Sequence, residues 1–320
     1  MRRGAPSPML RVGPAAVPAC GRVAVTSRGL EIEPIAAPAG ATLAAPTLRR
    51  LVYGAPFPAD QAVIVARGTL AVTLASSVAR SVRLPKLEVA FDRRPPGLTR
   101  VAGAALANAA ALVRDDGWSA VVLPSLGNIG EGDGGGGQVS LRHDGLMAAA
   151  AHGDRVTVHD LAAEGATVAT HEGAYSAVAF DADGELVVGV GAGVRRVGGA
   201  QVEGSPVVQI ATAAAAPRAL ARHADGTLSL WDVPSGAKLS TWSSPVQGPA
   251  HIGLSASGEF ASIGTPWAEP PAAALHVADG GAIELYVEGA KSIGPSPVDD
   301  GILITGAWGM AWIAPVEDAS

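Results

Sequence analysis

Short apolar segments separated by Gly, Pro, Asp-Gly and Ser-Gly turns run along most of the chain, and no sustained helical period links them. Residues 138–161, QVSLRHDGLMAAAAHGDRVTVHDL, read as strand, turn, strand, turn and strand, with a Gly153-Asp154 turn and with His159-Asp160 standing where Trp231-Asp232 stands in 221–242. Residues 171–197, HEGAYSAVAFDADGELVVGVGAGVRRV, have the same form around an Asp183-Gly184 turn. So do 221–242, ARHADGTLSLWDVPSGAKLSTW, around Asp225-Gly226, then HIGLSASGEFASIGT at 251–265 and DDGILITGAWGMAWIAPV at 299–316. Residues 101–116, VAGAALANAAALVRDD, also allow an Ala-rich helix, but the overlapping LVRDDGWSAVVLP has the strand–turn–strand form of its neighbours.

Taking the first strand of each unit as its marker, units start near 61, 101, 138, 176, 207, 251 and 293. Four short strands of alternating character repeated about every 40 residues predict an all-β fold, a closed β-propeller of seven four-stranded blades. The unit from 176 is tight for four strands, six or eight blades remain open, and the competing architecture is a pair of β-sandwiches. The last unit has room for three strands. Apolar segments at 21–36, GRVAVTSRGLEIEPIA, predict that an N-terminal strand completes it and removes an exposed edge. The expected organisation is an extended or disordered leader at 1–20 and one propeller domain at 21–320, with closing strands and a connector at 21–60.

The stretch Asp225-Gly226-Thr227-Leu228-Ser229-Leu230-Trp231-Asp232, followed by the Pro234-Ser235-Gly236 turn, resembles the turn and third strand of a WD-repeat blade. In that family a turn Asp, a His in the loop before the first strand and a Ser or Thr bond to the Trp. The resemblance gives Asp225 and Trp231 two of those roles and makes His171 the loop His of another blade, with Arg195 or Arg196 where a Trp would stand. No blade carries the whole set. The likeness is specific over some 22 residues, diffuse elsewhere, and marks a divergent WD-like propeller. Asp225, Gly226, Trp231, Asp232, His171, Asp183 and Gly184 are accordingly structural: Trp231 covers the neighbouring sheet, and Asp-Gly shapes hairpins.

Composition adds exclusions. The 320 residues are 48% hydrophobic and 16% charged, with 41 Gly and 24 Pro, which suits a turn-rich globular protein. A bias to Ala, Gly, Val and Arg is that of a GC-rich, bacterial-type genome. A net charge of −6 with scattered Lys and Arg argues against nucleic acid as a partner. The single Cys20 forms no internal disulfide and favours the cytoplasm. Arg11, Pro8, Pro14 and Pro18 interrupt the N-terminal stretch that faintly resembles an export signal, and no run is long enough to span a bilayer.

Candidate chemistry is sparse. Gly130, Gly132 and Gly135 in GNIGEGDGGGGQ match a dinucleotide fingerprint as text, but a polar Gln138 and a strand follow, so the segment reads as a flexible inter-blade loop. Glu131 and Asp133 are too few oxygens for calcium. His143, His152, His159 and His171 lack zinc spacing. No nucleophile elbow is present. The expectation is therefore no catalytic, cofactor or metal residues and no cofactor, and a scaffold or recognition subunit that binds a protein partner through one propeller face. Arg93 and Arg94, in an exposed connector, and Trp267 are the candidate partner-binding residues. The rival readings are a hydrolase or lactonase with a channel site, and a small-ligand or glycan binder that stacks sugars on Trp118 or Trp267.

Overall fold

The structure is a computed structural model that describes residues 59–84, 88–133, 138–197, 202–244 and 250–264, together with strand backbones between 21 and 55 and between 272 and 315. The 1–20 leader and Trp267 lie outside the described residues. The described chain is all-β, built of small sheets that are antiparallel apart from one parallel junction. It opens with the hairpin β1 (Gly21–Thr26) and β2 (Gly29–Pro34), then β3 (Leu48–Ala55). Sheet I holds β4 (Gln61–Val65), β5 (Leu70–Ala75), β6 (Val78–Arg83) and β7 (Glu88–Arg93). Sheet II holds β8 (Leu98–Gly103), β9 (Ala109–Arg114), β10 (Gly117–Val122) and β11 (Gly127–Asp133). Sheet III holds β12 (Val139–Leu141), β13 (Met147–Ala151), β14 (Gly153–Asp160) and β15 (Ala166–Tyr175).

Sheet IV has three strands, β16 (Ala177–Phe180), β17 (Leu186–Val190) and β18 (Gly193–Arg196). The expected fourth strand is not among its described residues; after β18 only an isolated bridge, Gly191 to Val202, precedes sheet V. Sheet V holds β19 (Val207–Thr212), β20 (Arg218–His223), β21 (Thr227–Asp232) and β22 (Ala237–Ser243). Sheet VI holds β23 (His251–Leu254), β24 (Phe260–Gly264), β25 (Ala272–His276) and β26 (Ala282–Val287). Sheet VII holds β27 (Ala290–Pro295), β28 (Ile302–Gly306) and β29 (Gly309–Pro315). Residues 101–116, where a helix was the alternative, lie across β8 and β9.

The N-terminal strands join the sheets differently from the expectation. The hairpin at 21–34 extends sheet VI, with β1 parallel to β26. The strand that adds to the last sheet is β3, antiparallel to β29 from Met310–Ala55 to Pro315–Leu48. Its apolar residues are interrupted by Arg49 and Arg50, which is why its pattern was weaker than that of 21–36.

Within each sheet burial changes with strand position. The second strands are buried almost throughout, as in AAALVR of β9 and MAAAA of β13, whereas outer strands such as β7 and β22 are largely exposed. Middle strands covered on both faces need continuous apolar runs rather than alternation. The covering is supplied by the neighbouring sheet. Each consecutive pair from I/II to V/VI shares one apolar core, for example Val72, Leu74, Leu98 and Leu112 between I and II. First strands touch in chain order, β4 with β8, β8 with β12, β12 with β16, β16 with β19, β19 with β23 and β23 with β27, and β27 contacts β4. The Ala59 amide donates to Gly306 O at 3.0 Å, tying sheet I to sheet VII.

The outer strand is bulged at the same place in four sheets, where Ala90, Ile129, Val168 and Leu239 are the extra residues, and one register position further along in sheet VII, at Val52. A bulge interrupts pairing and bends an edge away from new partners.

Candidate functional site

The motif residues build a buried relay in sheet V. Trp231 Nε1 donates to Ser229 Oγ at 2.7 Å, and Ser229 Oγ lies 2.7 Å from His223 Nε2. His223 Nδ1 is 2.8 Å from Ser205 O; a carbonyl only accepts, so the proton sits on Nδ1 and the Ser229 hydroxyl donates to Nε2. Trp231 packs with Ala177, Val187 and Val194 of sheet IV and Val207 and Ala219 of its own. Asp225 accepts from the Thr227 amide and hydroxyl, and these bonds hold its carboxyl below the usual carboxylate range. Asp232 likewise accepts from the amide and hydroxyl of Ser235, which lowers its pKa and fixes the Pro234-Ser235-Gly236 turn. Gly226 at φ +85° and Gly184 at φ +82° supply the left-handed backbone of their turns.

The His of this relay is His223, at the end of the second strand, and His171 does not take a loop position. It stands on the outer strand β15, paired with Val156. Sheet III nevertheless repeats the relay with other residues. His159 occupies the register of Trp231, each opposite the second residue of the preceding strand. Its Nδ1 is 3.0 Å from Gly165 O, so its Nε2 accepts from the Thr157 hydroxyl at 2.9 Å, and Thr157 in turn bonds His152 Nε2 at 2.9 Å. Burial, then the charge of Arg155, holds the His152 pKa below the usual histidine value. In sheet IV the corresponding residue is Arg196, which grips the buried Asp181 through Nε (3.0 Å) and a terminal nitrogen (2.8 Å) and reaches Asp183 at 2.7 Å.

Two other expectations are corrected. Trp118 is fully buried and is no stacking platform; its ring meets His159 edge to face at 5.0 Å. The glycines of GNIGEGDGGGGQ are not a loop up to Asp133, because Gly127–Asp133 is β11. A Cβ on Gly132 would lie 2.8 Å from the Trp118 ring, and one on Gly130 would lie 2.9 Å from Leu161, so close approach selects glycine there. Glu131 and Asp133 lie on that strand, and among the described residues no group of three or more His, Cys, Asp or Glu could hold a metal ion. Arg93 donates to Leu126 O at 3.2 Å, across to sheet II, and Arg94 is exposed beside it.

A cavity of about 270 Å³ lies between the first strands. Besides Ser140, His143, Thr212 and Thr305, its polar lining comes from one register position, which lines the cavity in sheets I, II, III, V and VI. It is found three residues before the residue that pairs with the second residue of the next strand, and reads Gln61, Arg100, Gln138, Ser176, Gln209 and His251 in sheets I to VI, with Lys291 at the same register in sheet VII. First strands are sheet edges, and the side chains of Gln61, Arg100, Gln138, Ser176 and Gln209 satisfy the edge of another sheet. Gln61 donates to Thr99 O at 3.2 Å and accepts from Val101 N at 3.3 Å. Arg100 donates to Val139 O at 3.3 Å. Gln138 passes β16 to bond Ile210 O at 2.8 Å and Ile210 N at 3.4 Å. The Ser176 hydroxyl donates to Val207 O, and Gln209 accepts from Ile252 N at 3.3 Å.

Burial lowers the pKa of Arg100, and burial followed by the charges of Arg100 and Arg222 lowers that of His251. His143 also borders the cavity, with both ring nitrogens buried and unbonded; burial depresses its pKa against the opposing pull of Asp181 and Asp144. Sequence reading missed this set because polar residues in first strands look like ordinary alternation. The signal was there as one polar residue per unit, nine residues before the second strand in sheets I, II, III, V and VI, but ten and eleven before it in sheets IV and VII. No helix among the described residues is long and apolar enough to cross a membrane. Neither protein-family models nor curated proteins give a match to this chain.

Proposed function

We propose that the seven sheets are the blades of a closed propeller of divergent WD-repeat-like type, and that the chain is a non-catalytic recognition or scaffold subunit that holds a protein partner against one face. Support for closure comes from the cycle of first-strand contacts, the Gln, Arg and Ser bonds that link successive first strands, and the addition of β3 to the last sheet. A cytoplasmic setting goes with this reading, on the strength of the single Cys20.

The observation that carries the binding role is a pair of exposed leucines on adjoining connections. Leu106 follows β8 and Leu146 follows β12, each about half exposed, and the Leu106 amide donates to His143 O at 2.9 Å. Neighbouring connections are laced in the same way, Ala66 N to Ala107 O and Ala215 N to Ala256 O. Apolar side chains on a surface already rigid lose little entropy on docking. The test is affinity recovery from the native lysate with the wild-type chain and a Leu106→Asp/Leu146→Asp variant. A stable partner held by the wild type and lost by a variant of unchanged circular dichroism is the expected result. Recovery of no partner by the wild type, or undiminished recovery by the variant, overturns the reading.

A further inference from the structure

Arg100 carries more charge than its place in the structure requires. At the equivalent register three other sheets use the neutral glutamines Gln61, Gln138 and Gln209, and each bonds the backbone of another first strand as Arg100 does. The guanidinium has five N–H donors, and one described acceptor, Val139 O, engages it. The cavity lining includes Arg100, His143 and His251 and contains no Asp or Glu among the described residues. A cation withdrawn from water and left without an anionic partner is costly, whereas a guanidinium facing an oxyanion forms paired, charge-assisted bonds.

We propose that the cavity is a binding site for a small oxyanion, a carboxylate or phosphate group held by the Arg100 guanidinium. Gln209 Nε2, which donates to no described residue, is a second donor on the same wall. Val63, Val101, Ile252 and Leu303 in the lining leave room for a short apolar body behind the charged group. The volume, near 270 Å³, falls just below the range of roughly 300–1,000 Å³ usual for larger organic ligands, so the ligand is small. The lining contains neither Leu106 nor Leu146, although His143, which borders the cavity, accepts from the Leu106 amide; anion binding does not depend on a protein partner.

The experiment titrates the full chain calorimetrically with inorganic phosphate, and with straight-chain monocarboxylates from acetate to hexanoate, at constant ionic strength. Saturable binding to the wild type is expected, weakened about tenfold or more in Arg100→Gln, because charge-assisted bonds are lost. Arg155→Gln, at a residue outside the lining whose side chain is 44% exposed, serves as the control and should bind as the wild type does. Arg100→Gln introduces a residue that the same register holds in three other sheets, so it should fold. Without added anion it should melt at or above the wild-type temperature, since a part-buried, partly desolvated charge is removed. Phosphate binding alone would make the ligand a phosphate; affinity rising with carboxylate chain length would make it an organic acid, and both support the site. Absence of saturable binding to the wild type, or equal binding by Arg100→Gln, overturns it.

Discussion

Replacing Trp231 tests the packing of one sheet on the next. The indole is 6% exposed and lies between sheets IV and V among Ala177, Val187, Val194, Val207 and Ala219. These small side chains sit on paired strands and have little freedom to collapse into the space, so Trp231→Ala should cost about 3–5 kcal/mol, the range for large aromatic truncations in a core. The relay adds a smaller share. Trp231→Phe keeps one ring, loses the rest of the indole and removes the donor to Ser229, whose hydroxyl still reaches His223, so an intermediate loss of about 1–2 kcal/mol is expected. Urea unfolding followed by far-ultraviolet circular dichroism measures both, with equal slopes required for the midpoints to be compared. A loss below about 1 kcal/mol for Trp231→Ala, or equal losses for Ala and Phe, would refute inter-sheet packing as the role of this residue.

Gly132→Ala places a Cβ 2.8 Å from the buried Trp118 ring and should cost about 1–3 kcal/mol, whereas Gly127→Ala, whose Cβ would meet Ser125 Oγ at 3.4 Å, should stay within about 1 kcal/mol of wild type; equal midpoints for the two would count against steric selection of Gly132. Acidification should destabilise the chain as pH falls below the ordinary histidine value of 6.5, because His143 is held neutral by burial in the folded state while the unfolded chain takes up the proton. His152 and His251 shift in the same direction, so His143→Phe should flatten the decline in melting temperature between about pH 7 and pH 5 without abolishing it. An unchanged slope in that variant would remove His143 from the account.

The parts of the fold that were legible are those fixed by local chemistry. Asp225-Gly226 and Asp183-Gly184 force turns through a positive φ, and Trp231 announces a buried surface by its size alone. Features set by strand pairing were not legible. The outer-strand bulges move the register by one residue, so Val168 and Leu239 are exposed by about half where an alternating pattern would bury one neighbour and expose the next. The match of His159 to the Trp231 position was legible, but the relay in sheet III was not, because Thr157 and His159 perform with different atoms what Ser229 and Trp231 perform in sheet V. The order of donors reverses between the two: Trp231 can only give a proton, whereas His159 receives one at Nε2. A search for identical letters therefore finds one copy of a device that occurs twice among the described residues.

The same reasoning explains why the cavity escaped a motif search and why Arg100 stands out once the strands are aligned. A first strand is the edge of its own sheet, and its outward N–H and C=O groups need partners that only a neighbouring sheet can provide. Glutamine meets that need economically, since its amide both gives and accepts, as Gln61 and Gln138 each do with two backbone atoms. Arginine gives without accepting, and here makes one described bond in place of two. On stability alone Arg100 is the poorer choice at a position where the chain repeatedly uses the better one. Its guanidinium becomes the better choice when an anion occupies the cavity, which is why binding and melting of Arg100→Gln should move in opposite directions.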